Sequence, residues 1–184
     1  RSARVHEGKG RGDQIHASRG EALKQFRVGF VQSRPRFGAV EANLKGCLEL
    51  MAGKKVDLWV LPELATSGYV FRSKREVAAA AEELPNGPSC RRLREFARAN
   101  DSAVVIGLPE KSGDKFYNSA ALITAGEGRV LCPDIVYRKV HLFDAEKKFF
   151  APGDLGFPVA TVKGVKVGMM VCFDWFFPEA CRTL

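Results

Sequence analysis

The spacing of hydrophobic and polar positions changes several times along the chain after residue 25. Phe26–Gln32 alternates apolar and polar residues, which predicts a strand. The next apolar residues recur at the spacing of one helix face: Val40, Leu44, Cys47, Leu48 and Met51. The apolar runs Val56–Leu61 and Ala103–Leu108 predict two buried strands, and Pro88 opens a basic helix between them. The first half of the domain is therefore predicted to alternate strands and helices.

Predicted strands follow one another more closely in the second half. Tyr117–Thr124 and Arg129–Arg138 are predicted to pair across a turn that contains two glycines. Val159–Val162 and Val165–Val171 flank a Lys-Gly dipeptide, which indicates a hairpin. Pro178 begins a final helix. This order of elements predicts an α/β domain with a mixed sheet, built as layers around one core.

Residues 1–25 have a different composition from the rest of the chain. They are rich in Gly, Arg and Ser and show almost no apolar periodicity, so they cannot bury enough surface to offset the entropy of ordering. They also lack the apolar core of a secretory signal. We expect a disordered basic tail over residues 1–25 and a single domain over residues 26–184.

Composition and charge narrow the class of protein. The chain has 29 Lys and Arg against 21 Asp and Glu, a net charge of +8, but no nucleic-acid-binding motif accompanies this charge. No apolar run approaches the roughly 20 residues of a membrane helix. The 5 cysteines are odd in number and form no CxxC pair, which argues against a disulfide framework and against a zinc site. We therefore expect a cytoplasmic protein in a reducing compartment, with no nucleic-acid or membrane partner.

Four residues with reactive groups lie at predicted strand ends or in the loops that follow. Glu63 and Cys172 come after apolar runs, Lys139 follows Tyr137-Arg138, and Glu146 lies in the next loop. Because ligand sites in α/β sheets gather beyond the carboxyl ends of strands, these side chains are candidates for one site. Each residue alone has an ordinary alternative: a solvated glutamate, a surface lysine or a buried core thiol.

Together the four residues suit nucleophilic catalysis by a thiol. A thiol attacks as the thiolate, so we expect Lys139 to stabilise the Cys172 thiolate and to make Cys172 the fastest of the cysteines to alkylate. The oxyanion formed on attack needs donors, which Lys139 and the backbone N–H of Phe173 would supply. Trp175 either lines the pocket or merely packs. For His141, a structural hydrogen bond is favoured over a catalytic role.

Three motifs make this sequence resemble the nitrilase, or carbon–nitrogen hydrolase, superfamily. They are LPELATSGY around Glu63, YRKVHLFDAEKKFFAPGD around Lys139 and Glu146, and VCFDWFFPEACRTL around Cys172, and their spacing agrees throughout Phe26–Leu184. The resemblance implies an α-β-β-α sandwich with mixed sheets, a homodimer or higher homo-oligomer, and neither a metal nor an organic cofactor. It also implies roles: Cys172 as nucleophile, Glu63 as general base, Lys139 as oxyanion stabiliser, and Glu146 as a second glutamate that positions the substrate and the lysine.

The resemblance also carries an expectation about the end of the chain and about the reaction. Members of the superfamily continue well past the helix after the cysteine, so we expect the C-terminal part of the domain to be missing here. The motifs are most similar to the amidase and N-carbamoyl amidase branches. We therefore expect hydrolysis of a small linear amide or N-carbamoyl compound through a thioester on Cys172. Nitrile hydrolysis, acyl transfer to an amine, and an incomplete chain with a binding role only remain as alternatives.

Overall fold

The structure of the protein is a computed structural model that describes residues 25–125 and 134–184, together with the backbone of residues 4–7. Its strands are β1 (Arg4–Glu7), β2 (Val28–Gln32), β3 (Leu58–Val60), β4 (Ala103–Ser112), β5 (Lys115–Ile123), β6 (Ile135–Arg138), β7 (Val159–Val162) and β8 (Val165–Gly168). Its α-helices are α1 (Val40–Met51), α2 (Lys74–Ala80), α3 (Pro88–Asn100) and α4 (Pro178–Thr183). Two 3-10 helices span Asp144–Lys148 and Cys172–Phe176.

The first six strands form one mixed sheet in the order β1-β2-β3-β4-β5-β6. β2, β3 and β4 run parallel to one another, whereas β1, β5 and β6 are each antiparallel to their neighbours. Strands β7 and β8 pair with each other in a separate two-stranded sheet. The prediction of an α/β fold with a mixed sheet is therefore confirmed.

The two faces of the large sheet bury different partners. On one face, Trp59 and Ile106 pack against α1 and α3, which contribute Leu44 and Leu93. On the other face, Leu58 and its neighbours pack against the β7–β8 hairpin. Successive strand residues point to opposite faces, which is why Leu58 and Trp59 enter different cores. The large sheet thus lies between a helix layer and the hairpin.

Most of the predicted elements are present, with small changes at their ends. The helix predicted from the apolar spacing is α1, and the basic helix opened by Pro88 is α3. β5 and β6 pair antiparallel as predicted, although much of the turn between them lies outside the described residues. The hairpin predicted around Lys163 and Gly164 is β7–β8.

Helix α2 was not predicted, although the sequence holds a signal for it. The side chain of Ser73 accepts a hydrogen bond from the backbone N–H of Glu76 and so caps the helix. A serine followed three residues later by a glutamate is a typical helix start. The following alanines carry no strong apolar period, which is why the pattern did not reveal the helix.

The predicted disordered tail is described at four residues. There, at Arg4–Glu7, the structure differs from the expectation, because their backbone pairs with the free edge of β2. Such pairing requires backbone groups rather than an apolar pattern. The remainder of the predicted tail up to residue 24 lies outside the described residues, so its disorder stays a prediction.

Among the helices in the described part of the chain, none is long and apolar enough to cross a membrane.

Candidate active site

Glu63 is held in a tight turn directly after β3. The turn lies on β4, where the backbone N–H of Ala65 donates to the carbonyl of Gly107 at 2.7 Å. A Cβ at Gly107 would lie 2.6 Å from the Cα of Glu63, so only glycine allows this approach. Leu64 has a φ of 47°, a conformation that is uncommon for a side chain with a Cβ. The backbone thus turns sharply to project Glu63 from the end of the strand.

Lys139 meets both predicted glutamates with one ammonium group. Its Nζ lies 2.7 Å from Glu63 Oε1 and 2.8 Å from Glu146 Oε2, with a longer contact of 3.1 Å to Glu146 Oε1. The side chain of Lys139 is 0% exposed, and those of Glu146 and Glu63 are 5% and 19% exposed. Burial alone would lower the pKa of Lys139, but the hydrogen bonds and negative charges of Glu146 and Glu63 outweigh it and raise the pKa. The lysine is therefore a permanent cation at neutral pH.

Asn118, on β5, joins the same cluster. Its Nδ2 donates to Glu63 Oε1 and to Glu146 Oε1, at 2.7 Å in both cases. This orientation of the amide follows from charge, because its oxygen would face two carboxylates. The sequence motifs did not identify Asn118 as part of the site. The signal that could have found it is a polar amide inside an apolar strand, which is rarely buried without partners.

Cys172 begins a 3-10 helix and adopts a φ of 45°. This left-handed backbone is uncommon for a residue with a Cβ. The Cys172 side chain is exposed. The thiol lies beside the Glu63 carboxylate, close enough for the two groups to interact. Glu63, Glu146 and Cys172 therefore lie around the buried ammonium of Lys139, so the structure brings the four predicted residues together.

The protonation of Cys172 differs from the expectation. Loss of hydration raises the pKa of the thiol, the negative charge of Glu63 raises it further, and Lys139 lowers it by less than these together. The expected stabilisation of a resting thiolate overlooked the two carboxylates that surround the single lysine. Cys172 is therefore a neutral thiol at pH 7, and it lies beside Glu63, the group that can take its proton.

This protonation predicts how Cys172 reacts with iodoacetamide in the free protein. Alkylation requires the thiolate, so its rate should rise with pH and reach its midpoint above the usual thiol pKa of about 8.5. At pH 7 we expect Cys172 to react no faster than the exposed Cys181. Peptide mass mapping at short times across a pH series measures both residues at once. A plateau for Cys172 already at pH 7 would contradict the raised pKa.

Of the remaining predicted residues, Phe173 and Trp175 lie in the 3-10 helix that begins at Cys172, and His141 lies beside it. The N–H of Phe173 belongs to the first turn, where backbone donors have no partner within the helix, so a substrate oxygen could accept from it. Trp175 is 64% exposed and its ring contacts Phe176 edge-on. His141 makes the structural hydrogen bond that was favoured, because its backbone N–H and Nδ1 both contact Asp174.

A cavity of about 220 Å³ opens beside Glu146. Apolar and aromatic side chains line much of it, among them Tyr69, Val70, Phe71, Phe143 and Phe150. The Tyr69 hydroxyl lies near Glu146, and burial together with the negative charges of Glu146 and Glu63 raises the pKa of this phenol. Tyr69 therefore stays neutral and can hold the carboxylate in place.

These groups define a class of site. A thiol beside a carboxylate, next to a buried ammonium and the first turn of a short helix, has the groups needed for attack on a carbonyl carbon and for stabilising the oxyanion. The Carbon-nitrogen hydrolase family matches residues 27–184. The chain belongs to this family.

Known relatives agree with this assignment. A protein named Nitrilase from Pyrococcus abyssi (strain GE5 / Orsay) is 42% identical over 161 residues, which are 86% of this chain and 60% of that protein. An (R)-stereoselective amidase from Pseudomonas sp is 37% identical over 161 residues, covering 86% of this chain and 56% of the relative. The chain thus spans somewhat more than half the length of these curated relatives.

A solved structure gives the same fold. It is a mutant of the amidase from Nesterenkonia sp. AN1, in which acrylamide has undergone Michael addition at the active site cysteine. The two chains are 28% identical, with a TM-score of 0.67 over 86% of this chain and 62% of the amidase.

Proposed function

We propose that the protein hydrolyses the carbon–nitrogen bond of a small amide, giving an acid and ammonia or an amine through a thioester on Cys172. The observation that carries this proposal is the position of Glu63, which accepts from Lys139 Nζ at 2.7 Å and lies beside the Cys172 thiol. A base in contact with both the nucleophile and a cation can remove the thiol proton while the cation limits the cost of the charge that forms.

The first half of the reaction forms the thioester. Glu63 takes the proton of the Cys172 thiol as sulfur attacks the carbonyl carbon, and the carbonyl oxygen becomes an oxyanion. Lys139 and the N–H of Phe173 stabilise that oxyanion. The longer Lys139 contact, at 3.1 Å to Glu146 Oε1, leaves one N–H of the ammonium able to turn to the substrate. Glu63 then returns the proton to the nitrogen as the carbon–nitrogen bond breaks.

The second half releases the acid. Glu63, again unprotonated, removes a proton from a water molecule that attacks the thioester carbon. The second oxyanion collapses with cleavage of the carbon–sulfur bond, and the proton on Glu63 returns to the sulfur of Cys172. Glu146 stays on Lys139 throughout, held by Asn118 and by the backbone N–H of Phe143 at 2.6 Å. None of the proposed steps uses a metal or an organic cofactor.

The cavity beside Glu146 supports a preference among amides. Its lining is largely apolar and includes the carboxylates of Asp144 and Glu146. An acyl group with its own carboxylate would be repelled there, whereas a neutral apolar group would bury surface without leaving a charge unpaired. We therefore propose that the preferred substrates are amides with a neutral, apolar acyl group.

Nitrile hydrolysis is the second candidate, since the relative from Pyrococcus abyssi carries that name. Cys172 would attack the nitrile carbon and form a thioimidate; one water would release ammonia and leave the thioester, and a second water would release the acid. The N-carbamoyl branch also stays within the proposal, because a carbamoyl group presents the same carbonyl carbon. Assembly into a homodimer or larger homo-oligomer is a further proposal, and light scattering on the purified protein tests it.

A panel of substrates tests these proposals. We expect ammonia release from propionamide and benzamide, weaker release from the anionic amide succinamate, and the least from propionitrile. Ammonia is measured by a coupled assay, with mass spectrometry of the intact protein for the acyl adduct on Cys172. Faster turnover of the nitrile would favour the second candidate, and the absence of turnover from every compound would favour a binding role.

A further inference from the structure

We propose that Asp174 is a positioning residue that sets where the Cys172 thiol lies relative to Lys139. The proposal rests on the proposed function, since it concerns the geometry of that reaction. Asp174 lies two residues after Cys172 and its side chain is 0% exposed. A fully buried carboxylate requires partners for both oxygens, and the positions of those partners carry the argument.

Both oxygens of Asp174 bind the segment that carries Lys139. Asp174 Oδ1 accepts from the backbone N–H of His141 at 2.9 Å and lies 2.8 Å from His141 Nδ1. His141 follows Lys139 by two residues. The hydroxyl of Tyr137, two residues before Lys139, donates to Asp174 Oδ2 at 2.5 Å. The carboxylate thus holds the lysine segment on both sides of Lys139.

The second oxygen also binds the segment that carries Cys172. The backbone N–H of Val171 donates to Asp174 Oδ2 at 2.9 Å, and the N–H of Asp174 donates to the carbonyl of Val171 at 3.1 Å. These two bonds close a tight turn with Cys172 inside it. The left-handed φ of 45° at Cys172 persists because such surrounding bonds hold it.

The fold creates the need for this link. Lys139 follows β6 of the large sheet, whereas Cys172 follows the β7–β8 hairpin, which forms its own sheet. The ladder bonds within each sheet therefore do not set the distance between the ammonium and the thiol. Asp174 joins the two segments through one side chain. The stacking of the His141 ring on Phe177, with centroids 3.8 Å apart and planes 12° apart, adds a second contact between them.

Asp174→Asn tests the role with little change in shape. An amide has one acceptor oxygen and one NH₂ group, so it cannot accept from both His141 and Val171. If its oxygen faces His141, the NH₂ meets the N–H of Val171, and the turn around Cys172 loses its anchor. If it flips, the bonds to His141 are lost instead, and Tyr137 alone holds the lysine segment. Either way we expect kcat for a neutral amide to fall about 10- to 100-fold, because a displacement of about 1 Å in a reacting group has that effect.

A matched control separates positioning from stability. Glu82 is also a buried carboxylate, and it accepts from the N–H of Ser89 at 2.8 Å and from its hydroxyl at 2.5 Å, at the start of α3. Glu82→Gln should lower the melting temperature in the same way as Asp174→Asn. Assayed well below either melting temperature, it should keep kcat within about threefold of the unsubstituted protein. A purely structural Asp174 would behave like this control.

A second readout does not depend on turnover. Release of the turn should hydrate the Cys172 thiol more fully and move it away from Glu63, which weakens the two causes that raise its pKa. The pH midpoint of Cys172 alkylation should therefore fall toward that of an ordinary thiol in Asp174→Asn and stay unchanged in Glu82→Gln. If no amide is turned over by the unsubstituted protein, the proposed function fails while this alkylation profile still tests the link.

The outcomes decide the proposal. The proposal is overturned if the Asp174→Asn protein folds and keeps a near-normal kcat. Where no amide is turned over, an unshifted alkylation midpoint in this variant overturns it. Should that variant not fold, Tyr137→Phe provides the test, because it removes one donor to Asp174 and leaves those of His141 and Val171. We expect Tyr137→Phe to lower kcat by about threefold to tenfold and to move the alkylation midpoint in the same direction. A Tyr137→Phe protein equal to the unsubstituted one in both respects overturns the role of the link.

Discussion

Replacement of Cys172 by alanine is expected to abolish both acylation and turnover of amides. The other described cysteines either lie buried in the helix layer, as Cys47 and Cys90 do, or lie on α4, as Cys181 does. Burial and nearby charge raise the pKa of Cys90 to about 12, so it offers no thiolate at neutral pH. Removal of a nucleophile from a cooperating set of residues typically costs about 10⁴-fold or more in kcat, and we expect a loss of this size.

The measurement combines ammonia release with intact-protein mass. Cys172→Ala should show no acyl adduct, while Cys181→Ala removes an exposed thiol outside the cluster and should retain both activity and adduct. If Cys172→Ala released ammonia at a rate close to that of the unsubstituted protein, the proposed mechanism would be wrong.

Replacement of Lys139 by methionine is expected to damage both stability and activity. Methionine fills a similar volume, so the change removes the charge without opening a cavity. Glu63 and Glu146 would then face each other with only Asn118 between them, and Glu146 is 5% exposed. Removal of one partner from a buried ion pair costs about 3–5 kcal/mol, because the remaining charge is left without compensation. Loss of an oxyanion donor adds a fall of about 10²–10³-fold in kcat.

Two further variants separate these effects. Lys163 also binds two carboxylates, Asp57 at 2.9 Å and Asp101 at 3.1 Å, where the β7–β8 hairpin meets the large sheet. Lys163→Met should lower the free energy of unfolding by less, because that cluster is more exposed, and should leave kcat within about threefold. In a Lys139→Met/Glu146→Gln protein the more deeply buried of the two unpaired carboxylates is neutralised, so stability should partly return while activity stays low. Urea unfolding and ammonia release measure both quantities, and full activity in Lys139→Met would exclude the lysine from the reaction.

The sequence alone was sufficient to predict most of the helices and strands and to identify the four reactive residues as candidates. The apolar spacing from Val40 to Met51 was sufficient for α1, since helix period is a local property of the sequence. Helix α2 escaped because its signal is a capping pair, Ser73 and Glu76, rather than an apolar period. The motifs around Glu63, Lys139, Glu146 and Cys172 identified the candidates by resemblance. Their meeting around one ammonium required the fold.

What the sequence determined alone is therefore the identity of the groups and the local elements that carry them. Tertiary structure decided how those groups affect one another. Asn118 became a shared donor because β5 passes beside the Glu63 turn, and Asp174 became a link because the lysine segment and the hairpin meet there. The Cys172 pKa was misjudged from sequence because a pKa depends on burial and on the balance of all nearby charges. Such balances arise between residues distant along the chain, and only folding brings them within a few ångströms of one another.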